Sequence, residues 1–388
     1  MSVPFLRAVL ALCTVGITLF TQLSLAATPT PQIPIPPAPA LPSVATYVLM
    51  DYDSGQIIAA KGENLHRAPA SLTKLMTAYL TYQAMGNGSL RPDEAVNVSN
   101  TAWKTGGSRM FIQPGLPVTV DQLLHGLLID SGNDAAVALA ETVGGSQSGF
   151  VTLMNDAARR LQLDNTHYSN VNGLPDSGLY TTALDVAKLS RALIHQYPQV
   201  LDITKQKSYT YNKITQRSWN PVLFRDPSVD GLKTGLTDES GYCIDATALR
   251  NGRRLIAVVM GGPSWPGSTN AVESLLNYGY RFFEDHELYK AMTKVGEIHD
   301  PMLSPMRIPV AVASKVTVTV PRGRLDELQT RLVWKPAGPL PVAKGGVVGE
   351  MIISLHGQTL QTVPLVSMVA VDRAGWLTRQ WHHLQNAL

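Results

Sequence analysis

Three short stretches of this sequence hold a hydroxyl close to an amine or amide: Ser71-x-x-Lys74, Ser131-Gly132-Asn133 and Lys233-Thr234-Gly235. A serine is a weak nucleophile until a neighbour takes its proton, and a lysine does so only where burial or another cation lowers its pKa. Around the first stretch Leu72, Leu75, Met76, Tyr79 and Leu80 recur at helical spacing and lay an apolar stripe on a core. Ser71, Lys74 and Ala78 then share another face, so one turn brings the lysine amine beside the serine oxygen. Pro69 suits the start of a helix, whose free backbone N–H groups favour an alkoxide forming at Ser71. Alone, this spacing is common on solvated helix surfaces, so its weight depends on the other two stretches.

The second stretch falls between two helices. Thr119-Val120-Asp121-Gln122 reads as a capping box opening a helix with Leu123, Leu124, Leu127 and Leu128 on its buried side. That helix halts at Ile129–Asp134, and a second begins with Ala135, Ala136, Val137, Leu139 and Ala140. A polar turn wedged between buried helices presents its side chains toward a cleft. Further helices are expected at 146–161 and 183–195. The third stretch opens three strands, at Val229–Gly235, Tyr242–Leu249 and Leu255–Met260, and Asn251-Gly252 between the last two is a tight-hairpin signal. Two more strands are expected at Tyr47–Met50 and Gln56–Ile58, and a helix at 272–284.

At 388 residues the chain exceeds one ordinary core, and 45% hydrophobic with 16% charged residues describes a folded protein. A net charge of +3 and the lack of a basic run with interleaved aromatics give no case for a nucleic-acid partner. Arg7, the apolar run Ala8–Phe20 and Ser24-Leu25-Ala26 read as a secretory signal peptide over 1–26. Seven prolines between 27 and 42 read as an extended spacer. Cys13 lies in the leader, so Cys243 alone remains, too few for an internal disulfide or a cysteine-rich zinc site. The catalytic domain is expected over 43–288 and a small β-rich domain over 289–370, from runs such as Ile308–Val312, Val316–Val320 and Met351–Leu355. In 371–388, Trp376, Leu377, Trp381, Leu384 and Leu388 share one helical face; this amphipathic helix lies on a membrane surface or packs on the β-domain.

The three stretches in this order are the signature set of penicillin-recognising serine enzymes. Lys104-Thr105-Gly106 also spells the third motif, but it precedes Ser131 and lacks an apolar strand, so it reads as a surface loop. Ala70–Thr77, Ser131–Ala136, Asn165-Thr166-His167 and Asp230–Gly235 make residues 42–285 similar to the D-alanyl-D-alanine carboxypeptidases of the penicillin-binding protein 5 type. The resemblance implies an α/β (α+β) serine transpeptidase/β-lactamase-like domain, with a five-stranded antiparallel sheet between helices and a β-rich domain after it. It implies a periplasmic enzyme that trims the terminal D-alanine from the peptidoglycan stem pentapeptide, and the leader and the terminal amphipathic pattern add the expectation that it is exported and attached to the outer face of the cytoplasmic membrane. β-Lactams would bind it covalently, and no metal or organic cofactor is implied.

By the same resemblance Ser71 is the nucleophile, Lys74 the general base and Ser131 a proton relay to the departing D-alanine. Asn133 would bind the substrate backbone and help position Lys74. Lys233 would repel a proton from Lys74, Thr234 would meet the terminal carboxylate beside Gly235, and the N–H groups of Ser71 and Leu236 would hold the oxyanion. Two features depart from the pattern: Leu236 stands where relatives have His, and no Arg lies between Gly261 and Glu273. The first alters the substrate rim; the second leaves the carboxylate to Thr234 and Lys233, or binds it less tightly. A β-lactamase would need a deacylating Glu motif between Ser131 and Lys233, which is not found, and a silent wall-binding protein would not need all three motifs. Gly-x-Ser-x-Gly and His-Glu-x-x-His are absent, and His66, His125, His167 and His195 read as structural.

Overall fold

A computed structural model describes residues 36–376. The expected leader, and residues 377–388 of the expected terminal helix, lie outside them. In chain order the first domain runs β1 (Thr46–Asp51), β2 (Ile57–Lys61), α1 (Lys74–Gly86), β3 (Ala95–Val96), α2 (Asn100–Lys104), β4 (Val118–Thr119), α3 (Val120–Leu128) and α4 (Asn133–Gly144). It continues with α5 (Gln147–Arg160), α6 (Ala183–Gln196), α7 (Val200–Thr204), β5 (Ser208–Tyr211), β6 (Ile214–Arg217), β7 (Val229–Thr237), β8 (Gly241–Arg250), β9 (Arg253–Gly262) and α8 (Trp265–Phe282).

β1, β2 and β7–β9 form one antiparallel sheet in the order β2-β1-β9-β8-β7. Its alternation explains why the run from Leu255 to Met260 is apolar throughout. Ile256, Val258 and Met260 enter the core shared with α1 and α3–α6, while Leu255, Ala257 and Val259 enter the core against α8. A strand buried on both faces reads as a continuous apolar run. The hairpin signal holds as well, with Asn251 and Gly252 at φ +52° and +79°. The capping box at Thr119 is formed, its hydroxyl accepting from Gln122 N while the Gln122 side chain accepts from Thr119 N.

Several boundaries differ from expectation. α1 is not a striped surface helix: Lys74 through Tyr82, and Ala84, are all buried, because it runs through the middle of the helical lobe. α8 begins at Trp265 rather than 272, since Pro266 sits in its first turn, where a missing N–H costs nothing. The proline-rich spacer ends earlier than 42, because Ala38 and Leu41 pack against the α8 core.

The second domain holds β10 (Phe283–Tyr289), β11 (Lys294–His299), β12 (Leu303–Ser304), β13 (Arg307–Val312), β14 (Val316–Pro321), β15 (Leu328–Trp334), β16 (Val347–Leu355), β17 (Gln358–Ser367) and β18 (Asp372–Arg373). β10 pairs with β14, so the domain starts at 283 and not at 289. β18 pairs with β12 and Ala374 is buried, so a terminal helix cannot begin at 371. Among the described residues no helix is long and apolar enough to cross a membrane.

At the junction, Arg253 Nε on β9 donates to Asp51 (3.1 Å) and to Asp285 on β10 (2.9 Å). Ser54 Oγ lies 3.0 Å from Asp51 Oδ1 and 2.6 Å from Thr319 Oγ1 on β14, and that threonine hydroxyl donates to Asp285 (2.9 Å), closing a ring between the domains. Gln56 mimics a strand partner, donating to Thr319 O and accepting from Thr319 N. Burial, and then the Asp51 charge, push the Asp285 carboxyl up to about 7.

Asp245 on β8 is fully buried; Ser190 of α6 donates to its Oδ2 (2.5 Å), and Oδ1 has no partner. Burial pushes this carboxyl up to about 7. A raised folded-state pKa means the folded chain holds a proton that the unfolded chain has released. Stability contributed at acid pH is therefore lost as pH rises from the ordinary carboxylate value toward 7. Asp245→Asn keeps the acceptor for Ser190 without the charge. Its urea-unfolding free energy should match wild type near pH 4.5 and exceed it by about 2 to 4 kcal/mol at pH 8; a difference independent of pH would refute this.

Candidate active site

Ser71 sits in a single 3-10 turn, Ala70–Thr73, that leads into α1 at Lys74. The sequence placed both residues on one helix face; the tighter turn achieves the same meeting, with Lys74 Nζ 2.8 Å from Ser71 Oγ. Lys74 is fully buried, and its second partner is the carbonyl of Asn172 at 2.7 Å. Asn133 does not steady the lysine as expected, because its side-chain amide donates to Gly106 O (2.7 Å). Nothing in the residue types flagged Asn172, since a backbone carbonyl has no sequence signature. The neighbouring glycine was the available sign: Gly173 has φ +88°, and a Cβ there would lie 1.8 Å from Ala70 O. Only glycine lets the 171–173 segment run this close to the Ser71 turn.

Ser131 lies in the turn between α3 and α4 at φ +58°, and Lys233 Nζ on β7 donates to its hydroxyl (3.0 Å) and to Thr234 O (2.9 Å). The two expected motifs therefore meet across 102 residues. β7 approaches Ser71 so closely that a Cβ on Gly235 would stand 3.2 Å from Ser71 N. Burial, and next the Lys233 charge, hold the Lys74 amine well below the usual lysine range, against a smaller opposing effect of Asp134. Burial lowers Lys233 to about 7. Two amines taken out of water in one pocket each favour losing a proton.

The wall opposite β7 is braced by Asp134 of α4. Its carboxylate accepts from the backbone N–H groups of Met110 (3.0 Å), Phe111 (2.8 Å), Ile112 (3.2 Å) and Ala135 (2.9 Å). Ser108 O accepts from Asn133 N, and Ser108 Oγ donates to Ser131 O (both 2.7 Å). Lys104-Thr105-Gly106 is no strand, as expected, yet its glycine carbonyl holds Asn133 in place. Ala70, Ser131 and Phe111, at φ +47°, +58° and +70°, are non-glycine residues in the left-handed region. Strain of about 1–2 kcal/mol at each such residue persists where surrounding contacts over-determine the backbone.

The cavity they enclose measures about 260 Å³. Ser71, Ser131, Thr234, Gly235 and Leu236, all among the candidate site residues, line it together with three residues that were not anticipated: Ser108, Trp219 and Trp265. Trp219 follows the β5–β6 hairpin and Trp265 opens α8. The chemistry this permits is attack by an activated serine on an acyl group, with donors from β7 and apolar indoles at the rim.

A family model described as D-alanyl-D-alanine carboxypeptidase matches residues 36–264, and one for the penicillin-binding protein 5 C-terminal domain matches 283–373. The D-alanyl-D-alanine carboxypeptidase DacA of Escherichia coli is 38% identical over 348 residues, covering 87% of this chain and 86% of the relative. The chain belongs to the D-alanyl-D-alanine carboxypeptidase family. Penicillin-binding protein 5 from Haemophilus influenzae superposes with a TM-score of 0.79 at 33% identity, covering 87% of this chain and 99% of that one. Penicillin-binding protein 6B from Escherichia coli gives 0.69 at 35%, covering 86% and 97%. The family architecture expected from the sequence, a five-stranded antiparallel sheet between helices followed by an all-β domain, is the one observed.

The contact of Gly173 with Ala70 yields a prediction for this carboxypeptidase-family site. Gly173→Ala must either leave φ +88° or displace the Ser71 turn. We expect a loss of at least about 1–2 kcal/mol of stability and more than about tenfold slower acylation by penicillin. Wild-type acylation in a folded Gly173→Ala protein would show that the close approach does not position Ser71.

Proposed function

We propose that this protein is a serine-type D-Ala-D-Ala carboxypeptidase that removes the terminal D-alanine of peptidoglycan pentapeptides through a Ser71 acyl-enzyme. The carrying observation is the buried Lys74 amine 2.8 Å from Ser71 Oγ, with its pKa held well below the usual range. Neutral Lys74 keeps a lone pair for the Ser71 proton while one of its N–H bonds goes to Asn172 O. As Lys74 takes that proton, Ser71 Oγ bonds the penultimate D-alanine carbonyl carbon. The oxyanion is held by the N–H groups of Ser71 and Leu236, each contributing about 3 kcal/mol.

Collapse breaks the C–N bond, and the proton that Lys74 took from Ser71 goes to the departing amine through the Ser131 hydroxyl, which Lys233 Nζ holds in place at 3.0 Å, so that Lys74 is neutral again. Water then hydrolyses the ester, with Lys74 again the base. Thr234 and Lys233 meet the terminal carboxylate, Asn133 binds the peptide backbone, and Gly235 leaves room for it. β-Lactams acylate the same serine. The printed names of the relatives, carboxypeptidases and penicillin-binding proteins, support this reading. The signal-like leader supports export to the periplasm, and the amphipathic pattern after Trp376 supports attachment to the outer face of the cytoplasmic membrane.

Wild-type protein should gain the mass of one penicillin and release D-alanine from a pentapeptide, and Ser71→Ala should do neither. Drug hydrolysis without D-alanine release would point instead to a β-lactamase. A chain ending at Trp376 should be soluble and active, and persisting association with membrane vesicles would reject the anchor.

A further inference from the structure

The loop that walls the reactive cleft has a second face. Ser108 lines the cavity at Ser71, and the next residue, Arg109, lines a separate cavity of about 490 Å³ together with Trp103, Lys104, Phe111 and Gln113. Trp103 and Phe111 are 41% and 37% exposed, far more than aromatic side chains placed only to fill a core. Lys104 Nζ stands 6.0 Å from the Trp103 ring centroid, and the Arg109 guanidinium carbon 5.1 Å from that of Phe111. Neither cation has a carboxylate partner among the described residues, and each stands over an aromatic ring instead.

This face is also built rather than loose. Phe111 is held at φ +70° while Asp134 takes its N–H, and Gln216 of the β5–β6 hairpin donates to Arg109 O (2.9 Å). The same Asp134 and Gly106 contacts set the Ser131–Asn133 turn, so the cleft and the second cavity share one rigid wall.

The geometry points to this cavity as a subsite for a carboxylate-bearing residue of the substrate peptide, upstream of its D-Ala-D-Ala end. Two cations without a carboxylate partner, Arg109 next in sequence to the cleft residue Ser108 and Lys104 at the end of α2, are complementary to an acidic peptide leaving that cleft, and the aromatic faces cover the apolar parts of its backbone. The assignment rests on the carboxypeptidase reading above for the identity of the substrate, and adds what selects it beyond the scissile bond.

The test compares two peptides: N-acetyl-L-Ala-γ-D-Glu-Nε-acetyl-L-Lys-D-Ala-D-Ala, which has a free upstream carboxylate and no amine, and Nα,Nε-diacetyl-L-Lys-D-Ala-D-Ala, which has neither. For wild type, the ratio of kcat/KM for the acidic over the neutral peptide should fall as salt rises. In Lys104→Glu/Arg109→Glu that ratio should drop about tenfold, chiefly through KM. Lys104→Gln/Arg109→Gln, a milder pair, should lower it about threefold and keeps the comparison readable should charge reversal disturb the loop. A ratio unchanged in both folded variants overturns the subsite. Failure of the carboxypeptidase reading is separate: it would show as no penicillin uptake and no D-alanine release by wild type. Even then, acidic-peptide binding to Ser71→Ala protein, with and without the Lys104 and Arg109 substitutions, decides the subsite by calorimetry: equal affinities overturn it.

Discussion

Two lysine amines buried behind the serines of one small cavity are the constraint from which the rest of the catalytic domain follows. Lys74 and Lys233 are 0% and 1% exposed. Taking an ammonium group out of water costs several kcal/mol unless it is paired, and no carboxylate is bonded to either amine. Their partners are instead two serine hydroxyls and two backbone carbonyls. Burial relieves the cost by favouring loss of a proton, most strongly at Lys74 beside the Lys233 charge, and a deprotonated Lys74 is what the proposed chemistry requires. What would be a defect in an ordinary core thus becomes the source of the basicity.

Holding that arrangement requires every neighbouring element to be rigid. α1 can carry a buried lysine because it is enclosed by other helices on nearly all sides, and β7 can bring its own because it is the edge strand beside the Ser71 turn. Asp134 fixes the facing wall by gathering four backbone N–H groups, a role closer to that of a helix cap than of an ion pair. Three left-handed non-glycine residues mark where this rigidity forces the backbone away from its preferred angles.

Those features of the site that depend on residue type at short range were legible in the sequence. The Thr119 capping box, the Asn251-Gly252 turn and the two-faced run at Leu255–Met260 each reported its element, and the three motifs reported the family. What stayed hidden depends on backbone groups or on distant pairing. The Asn172 carbonyl reaches Lys74 across 98 residues, and Arg253 reaches Asp51 across 202. Trp265 was not anticipated because the apolar pattern marking this helix begins only at Val272, whereas Pro266 in the first turn lets the helix start at Trp265. The expected helix ran on to 284 and so took in Phe283 and Glu284; β10 covers Phe283–Tyr289, and its pairing with β14 draws it into the second domain.

The ring of Asp51, Ser54, Thr319, Asp285 and Arg253 has a mechanical meaning for the whole molecule. Arg253 also donates to Gly279 O and Phe283 O, so the one peptide stretch that could serve as a hinge, from the end of α8 into β10, is clasped on both sides. The two domains are consequently tied by side chains as well as by the peptide that joins them, so that removing the Arg253 guanidinium would loosen both tethers at once.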